Sequence, residues 1–125
     1  MIQPGEAGRT VRSFFDAYLI RRNVKDTLDF VTDTVHWVGT GKSELSKGRD
    51  QTEQALLTEF SQAPEPMKIE YDSFEETVVS DQCAVVLLTA DVYPQGSEEP
   101  GIWFRVSAAC VKGEDGICRI ASIHA

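Results

Sequence analysis

Apolar residues first recur at helical spacing. Val11, Phe14, Phe15, Tyr18 and Leu19 fall at i, i+3, i+4, i+7 and i+8, one face of a 3.6-residue period, while Arg12, Asp16, Arg21 and Arg22 lie off that face. The spacing predicts a long amphipathic helix. Asn23, with Asp26 three residues on, reads as the cap of a short second helix whose buried stripe is Val24, Leu28 and Val31. A strand over Val35–Val38 and a glycine turn come next. Asp50 and Glu53 repeat the capping pattern and open a third helix with Glu53, Leu56, Leu57 and Phe60 on one face. The run Ala63–Pro66, "APEP", ends it.

From Met67 onward the period drops to two. Met67–Val79, Cys83–Tyr93, Ile102–Lys112 and Arg119–His124 read as strands, separated by turn chemistry at Ser80, Pro94 and Gly113. Connections this short join antiparallel neighbours, not parallel strands crossed by helices. The order predicts one α+β domain over residues 1–125. In it a curved antiparallel sheet wraps, cone-like, around three N-terminal helices and leaves a central pocket.

The same alternation predicts a partner. Along Ile102–Lys112, one side carries Ile102, Phe104, Val106, Ala108 and Cys110; the other carries Trp103, Ser107, Ala109 and Val111 around Arg105. Cys83–Val92 is apolar on both sides as well. A sheet with one wet face shows polar residues at every second position. Three helices cover only one face, so a second copy of the chain is expected over the other, in a two-fold homodimer.

Composition and charge narrow the class. A chain of 125 residues that is 42 % hydrophobic is long enough and apolar enough for a real core. Twelve basic against twenty acidic residues leave a net charge of −8, the opposite of a nucleic-acid footprint and unsuited to an anionic membrane surface. The first ten residues lack the basic start and apolar core of a secretory signal, and the longest apolar run, Cys83–Leu88, is far short of a bilayer span. A cytoplasmic location is expected. The three cysteines, Cys83, Cys110 and Cys118, read as free, buried, small hydrophobes, with Cys110 and Cys118 on different sides of the sheet.

Candidate chemistry is sparse. "GTGKS" resembles the end of a phosphate-binding loop, but the opening glycine would fall at His36, and no helical pattern follows Ser43. It reads as a turn. The only histidines, His36 and His124, have no ligand-like spacing, so neither metal nor cofactor is expected. Asp91 and His124 are candidates for an acid–base pair across the sheet, against the plainer readings of a solvated strand-end carboxylate and a structural histidine. Tyr18, Trp37, Tyr71, Trp103 and Arg105 are the candidate pocket residues. Flat aromatic walls with one forked donor suit a small anionic or aromatic ligand.

Three segments carry a family resemblance: "FFDAYLIRRNVKDTLDFVTDTVHWVG", "GRDQTEQALLTEF" and "ICRIASIHA". In this order they resemble the nuclear-transport-factor-2-like superfamily in its SnoaL-like branch, over nearly the whole chain. "HWVGTGKSELSKGRD" is also similar to SnoaL-like sensor domains at the N-terminus of bacterial diguanylate cyclases, which implies a sensory portion of a longer signalling protein. The superfamily includes ketosteroid isomerases, polyketide cyclases and binding modules, so membership alone does not choose a function. The isomerases use a first-helix tyrosine, a protonated carboxylic acid and a carboxylate base. Phe15, Arg105 and Val38 or Gly39 stand at those places here. The resemblance therefore implies a non-enzymatic, small-molecule-binding or sensory domain. The alternatives are a small lyase or isomerase using Asp91 and His124, and a structural dimerisation module.

Overall fold

The computed structural model describes residues 1–39, 41–97 and 101–125. Its first helix, α1 (Glu6–Phe15), buries Val11, Phe14 and Phe15 to 1 % exposure or less. The helix then widens into a π-helical turn, Asp16–Ile20, in which the Arg21 N–H donates to the Asp16 carbonyl, five residues back, at 2.9 Å. The apolar stripe thus continues to Leu19 as the spacing predicts, but the last turn holds an extra residue.

The start of α1 is capped from a distance. Gly5 precedes it with φ 85°, and no local side chain caps it. Instead Glu76 reaches across from the sheet: one carboxylate oxygen accepts the Gly5 N–H at 2.5 Å and the other the Gly8 N–H at 2.6 Å. A carboxylate at this pole meets free amide donors and the positive end of the helix dipole.

The second helix, α2 (Val24–Leu28), is capped as expected, Asn23 Oδ1 accepting the Asp26 N–H at 2.9 Å. Val31 does not belong to it. It opens β1 (Val31–Val38), longer than the strand expected from the sequence, and lies buried opposite Ile120. The glycine turn leads into a short strand, β2 (Leu45–Lys47), antiparallel to β1. The third helix, α3 (Gly48–Gln62), begins before Asp50, which lies in its first turn. The cap there is the Gln51 side chain accepting the Lys47 N–H at 2.9 Å, so the Asp50 capping box does not form. Thr52 and Leu56 form its buried face, while Leu57 is exposed.

The meander is present as β3 (Met67–Ser80), β4 (Cys83–Pro94), β5 (Ile102–Lys112) and β6 (Cys118–His124). The sheet order is β2-β1-β6-β5-β4-β3, antiparallel except where β1 runs parallel to β6. This is the expected α+β architecture: an open, curved sheet with helices on one face. Register shifts in β3 beside Asp72, between β5 and β6, and between β1 and β6 supply the bends.

The two sides of the sheet are unequal. Ala84, Val86, Leu88, Ala90 and Val92 of β4, with Val106, Ala108 and Cys110 of β5, are buried under the helices. Phe104 shares this side, its ring 5.9 Å from that of Phe15. Both Val86 and Phe104 therefore face inward. Cys110 and Cys118 also share the inner side, contrary to expectation. The register pairs Cys110 with Ile120 and Cys118 with Lys112, and Cys110 and Lys112, two residues apart on β5, share a side. All three cysteines are free. Among the described residues, no helix is long and apolar enough to cross a membrane.

The distant cap makes α1 depend on β3. Glu76→Ala is expected to lower stability by about 2 kcal/mol, the scale of charge-assisted hydrogen bonds. Urea denaturation should show a lower midpoint at an unchanged slope. A loss below about 0.5 kcal/mol, the range of ordinary surface substitutions, would show that the clamp carries no stability.

Candidate functional site

Tyr18 sits in the π-helical turn, where α1 ends against β1 and α3. Its ring meets Trp37 edge-on at 5.0 Å and stacks on Phe60 at 6.0 Å. Trp37 in turn touches Phe14 at 5.4 Å, so the cluster is continuous with the core. The Tyr18 hydroxyl donates to Glu59 Oε1 at 2.7 Å, and Glu59 Oε2 pairs with Arg22 Nη1 at 3.1 Å.

Arg22 is locked in place. Its φ of 49° is the left-handed conformation that ends a helix. Its side chain is only 7 % exposed, lies over the Phe60 ring at 4.4 Å and donates to the Ala63 carbonyl at 2.6 Å. Burial, then the neighbouring Glu59 carboxylate, pushes the Tyr18 phenol far above its ordinary pKa. Tyr18 is thus a neutral hydrogen-bond donor committed to Glu59.

Beside this triad opens a cleft of about 530 Å³ between α3 and the β1–β2 hairpin. Tyr18 and Trp37 form its aromatic wall, and Leu56, Thr58 and Glu59 line the α3 side. Glu44, from the hairpin turn, lines the other side. Its carboxylate accepts the Gly41 N–H at 3.1 Å, and any side chain at Gly39 would collide with it. The turn amide that a phosphate would need is therefore occupied by the protein's own carboxylate. The turn joins two antiparallel strands, not a strand and a helix. Thr40 lies outside the described residues.

The expected pocket residues do not all meet. Tyr18 and Trp37 do. Tyr71 is on the inner side of β3 opposite Ala90, at the far end of the sheet order, packed on Phe74 with the Arg12 guanidinium 4.6 Å from its ring. Burial raises its phenol to about 12, with the Asp16 charge next in weight. Its hydroxyl is buried without a hydrogen-bond partner among the described residues.

Trp103 and Arg105 point away from the helices, and the expectation that Arg105 enters the cone is corrected. The register sets Arg105 opposite Thr89, which faces Ser73, on the side opposite Phe104. Both residues are exposed. With the guanidinium outside, Arg105 offers no donor to an anion in the cone.

Asp91 and His124 also fail to meet. Asp91 pairs with Trp103 and His124 with Ser107, four residues apart along β5, or about 13 Å of strand. His36 and His124 lie on neighbouring strands, and no cluster of three metal-ligating side chains occurs among the described residues. Phe15, at the place of the isomerase tyrosine, is 1 % exposed core.

Sequence reading missed Glu59, Glu44 and Arg22. Glu59 carries a faint signal, three residues after Leu56 and next to Phe60, at the border of the buried face of α3. Its pairing with Arg22 bridges 37 positions and leaves no local pattern.

A helix-packed, curved, unclosed sheet of this order is the nuclear-transport-factor-2-like, or cystatin-like, architecture, and solved structures share it. An NTF2-like protein from Pseudomonas putida superposes with a TM-score of 0.84 at 12 % identity, over 96 % of this chain and 82 % of that one. A protein with a cystatin-like fold from Nostoc punctiforme gives 0.81 at 12 % identity, over 95 % and 86 %. A ketosteroid isomerase-like protein from Erwinia carotovora atroseptica gives 0.73 at 15 % identity, over 98 % and 95 %. At these identities the likeness is one of fold. Within that architecture the chain belongs to the SnoaL-like domain family, whose model matches residues 9–125. No curated protein matches it.

The buried phenols predict alkaline behaviour. A raised pKa contributes stability that is complete below the unfolded value of about 10 and is lost as pH climbs through the folded value. Stability should therefore fall steadily above about pH 10, and Tyr18 should form tyrosinate only as the fold opens. Ultraviolet titration followed together with circular dichroism tests this. Tyr18→Phe should remove one tyrosinate from the step that coincides with unfolding. Removal of one from the early, reversible step would contradict the burial argument.

Proposed function

We propose that this SnoaL-like domain binds a small molecule in the Tyr18–Trp37 cleft without turning it over, as a sensory or carrier domain does. The observation that carries the reading is the cleft itself: an aromatic wall continuous with the core, beside a hydroxyl already committed to Glu59. A pocket rigidly backed by core residues is pre-organised for binding. The inner side of β4 and β5 offers aliphatic and aromatic groups and the Cys110 thiol, and no carboxylate among the described residues. Asp91 and His124, the alternative acid–base pair, stand apart on the outer side. The fold shared with isomerase-like proteins carries no chemistry across at 15 % identity.

Nuclear magnetic resonance with a set of small cationic, neutral and anionic aromatics tests the site. At least one class should shift the Trp37 indole N–H and the Thr58 amide. Ala55 lines the cleft and is exposed, so Ala55→Trp should fill it and weaken that binding by about tenfold or more while the fold persists. Binding that Ala55→Trp leaves intact, or shifts confined to other surfaces, would count against the site.

We propose further that the outer side of the sheet carries a second copy of the chain. Leu87 and Trp103 are 52 % and 53 % exposed there, around a depression of about 630 Å³. Glu75 and Arg105 stand on the same side, two strands apart, and neither has an ion-pair partner among the described residues. A two-fold axis between them would set each Arg105 against the other copy's Glu75. Four strands about 4.8 Å apart and about ten residues long would bury roughly 1,200 Å² in a pair, the size of a specific interface.

Sedimentation should show a dimer at tens of micromolar, split by Arg105→Glu and restored when Glu75→Arg is added. A monomeric wild-type protein, or a charge swap without effect, would end this proposal.

A further inference from the structure

The ionisable groups lining the Tyr18–Trp37 cleft are of one sign. Glu44 and Glu59 are its carboxylates, and among the described residues no lysine, arginine or histidine lines it. Arg22, close behind, is buried, and its Nη1 and Nη2 are engaged by Glu59 and the Ala63 carbonyl, while Lys42, in the same turn as Ser43 and Glu44, is exposed and does not line the cleft. Lys47 is turned away: the register pairs it with His36, whereas Ser46, which lines the cleft, pairs with Trp37. Glu59 has acceptor capacity to spare. A carboxylate offers about four lone-pair directions, and Tyr18 and Arg22 take one on each oxygen. Its side chain is still 42 % exposed. Glu44 is exposed across the cleft, close enough for its charge to act on the Tyr18 phenol.

We propose that the cleft selects an organic cation: a protonated amine or quaternary ammonium on an aromatic or hydrocarbon body. The ammonium would sit between Glu59 and Glu44, and the body against Trp37 and Tyr18. This rests on the binding reading above and adds its ligand class. Carboxylates offset the desolvation of a bound cation, and tryptophan and tyrosine rings attract one. An anion entering the same cleft would meet two carboxylates and no available donor cation. The net charge of −8 enriches cations around the whole molecule.

The test compares 2-phenylethylamine, 2-phenylethanol and 3-phenylpropionate, which share a ring and a similar chain but are cationic, neutral and anionic at neutral pH. Affinity is read by titrating the Trp37 indole and Thr58 amide resonances of the intact chain. The amine should bind about tenfold tighter than the alcohol and the carboxylate weakest, with the amine's advantage shrinking as salt rises. Glu59→Gln should reduce the ratio of amine to alcohol affinity. Because that change also loosens Arg22, Glu44→Gln, at an exposed position, carries the decision if Glu59→Gln misfolds. Equal binding of all three probes, or a preference for the carboxylate, overturns the cation proposal and leaves the binding reading standing. Absence of any shift at Trp37 and Thr58 overturns both.

Discussion

The rest of the structure depends on burying the aromatic face of α1 in the hollow of the sheet. Phe14 reaches Trp37 on β1, and Phe15 reaches Phe104 on β5, two strands with β6 between them. One helix touches both because the sheet curves around it, and the register shifts supply the curvature. Each fully buried phenylalanine is worth about 2–3 kcal/mol relative to an exposed one, so the seam dominates any single polar contact. Glu76 then holds the start of the helix to β3. Ring contacts and this clamp together fix both the rotation and the position of α1, and so determine where Tyr18 emerges.

Dry packing displaces chemistry to the ends and the outside. Beneath α1 the sheet presents alanine, valine and leucine, and charged groups stand at the two ends of the helix, Glu76 at its start and the Arg22–Glu59 pair where it runs out. There the π-helical turn and the left-handed Arg22 redirect the chain, and α3 supplies Glu59. A buried arginine is costly unless its donors are met. Glu59, Ala63 and the Phe60 face meet most of that need, although Nε has no partner among the described residues. Such a network holds Tyr18 in one orientation.

The outer side has the opposite character. Leu87 and Trp103 are open beside Glu75 and Arg105, so a single strand, β5, packs the core with one set of side chains and presents a mixed apolar and charged surface with the other.

The sequence alone was enough for the three helices, the strand after the second of them, the four-stranded meander and the α+β class, because periods of 3.6 and 2.0 and the turn residues are local properties; it missed the three-residue strand β2 and the π-helical turn, and it placed Val31 in α2 rather than β1. It also yielded the Asn23 cap and the Tyr18–Trp37 pair. It was silent on what depends on distance along the chain: the parallel pairing of β1 with β6, the Glu76 clamp 68 residues from Gly8, and the Arg22–Glu59 pair. It was misleading on Arg105. Alternation divides a strand into two sets, but when both are apolar it does not say which set meets the helices. Contact between Phe104 and Phe15 settled that, and with it the side on which Trp103 and Arg105 stand. Local periodicity determines which residues share a face. Only tertiary packing decides which face is buried.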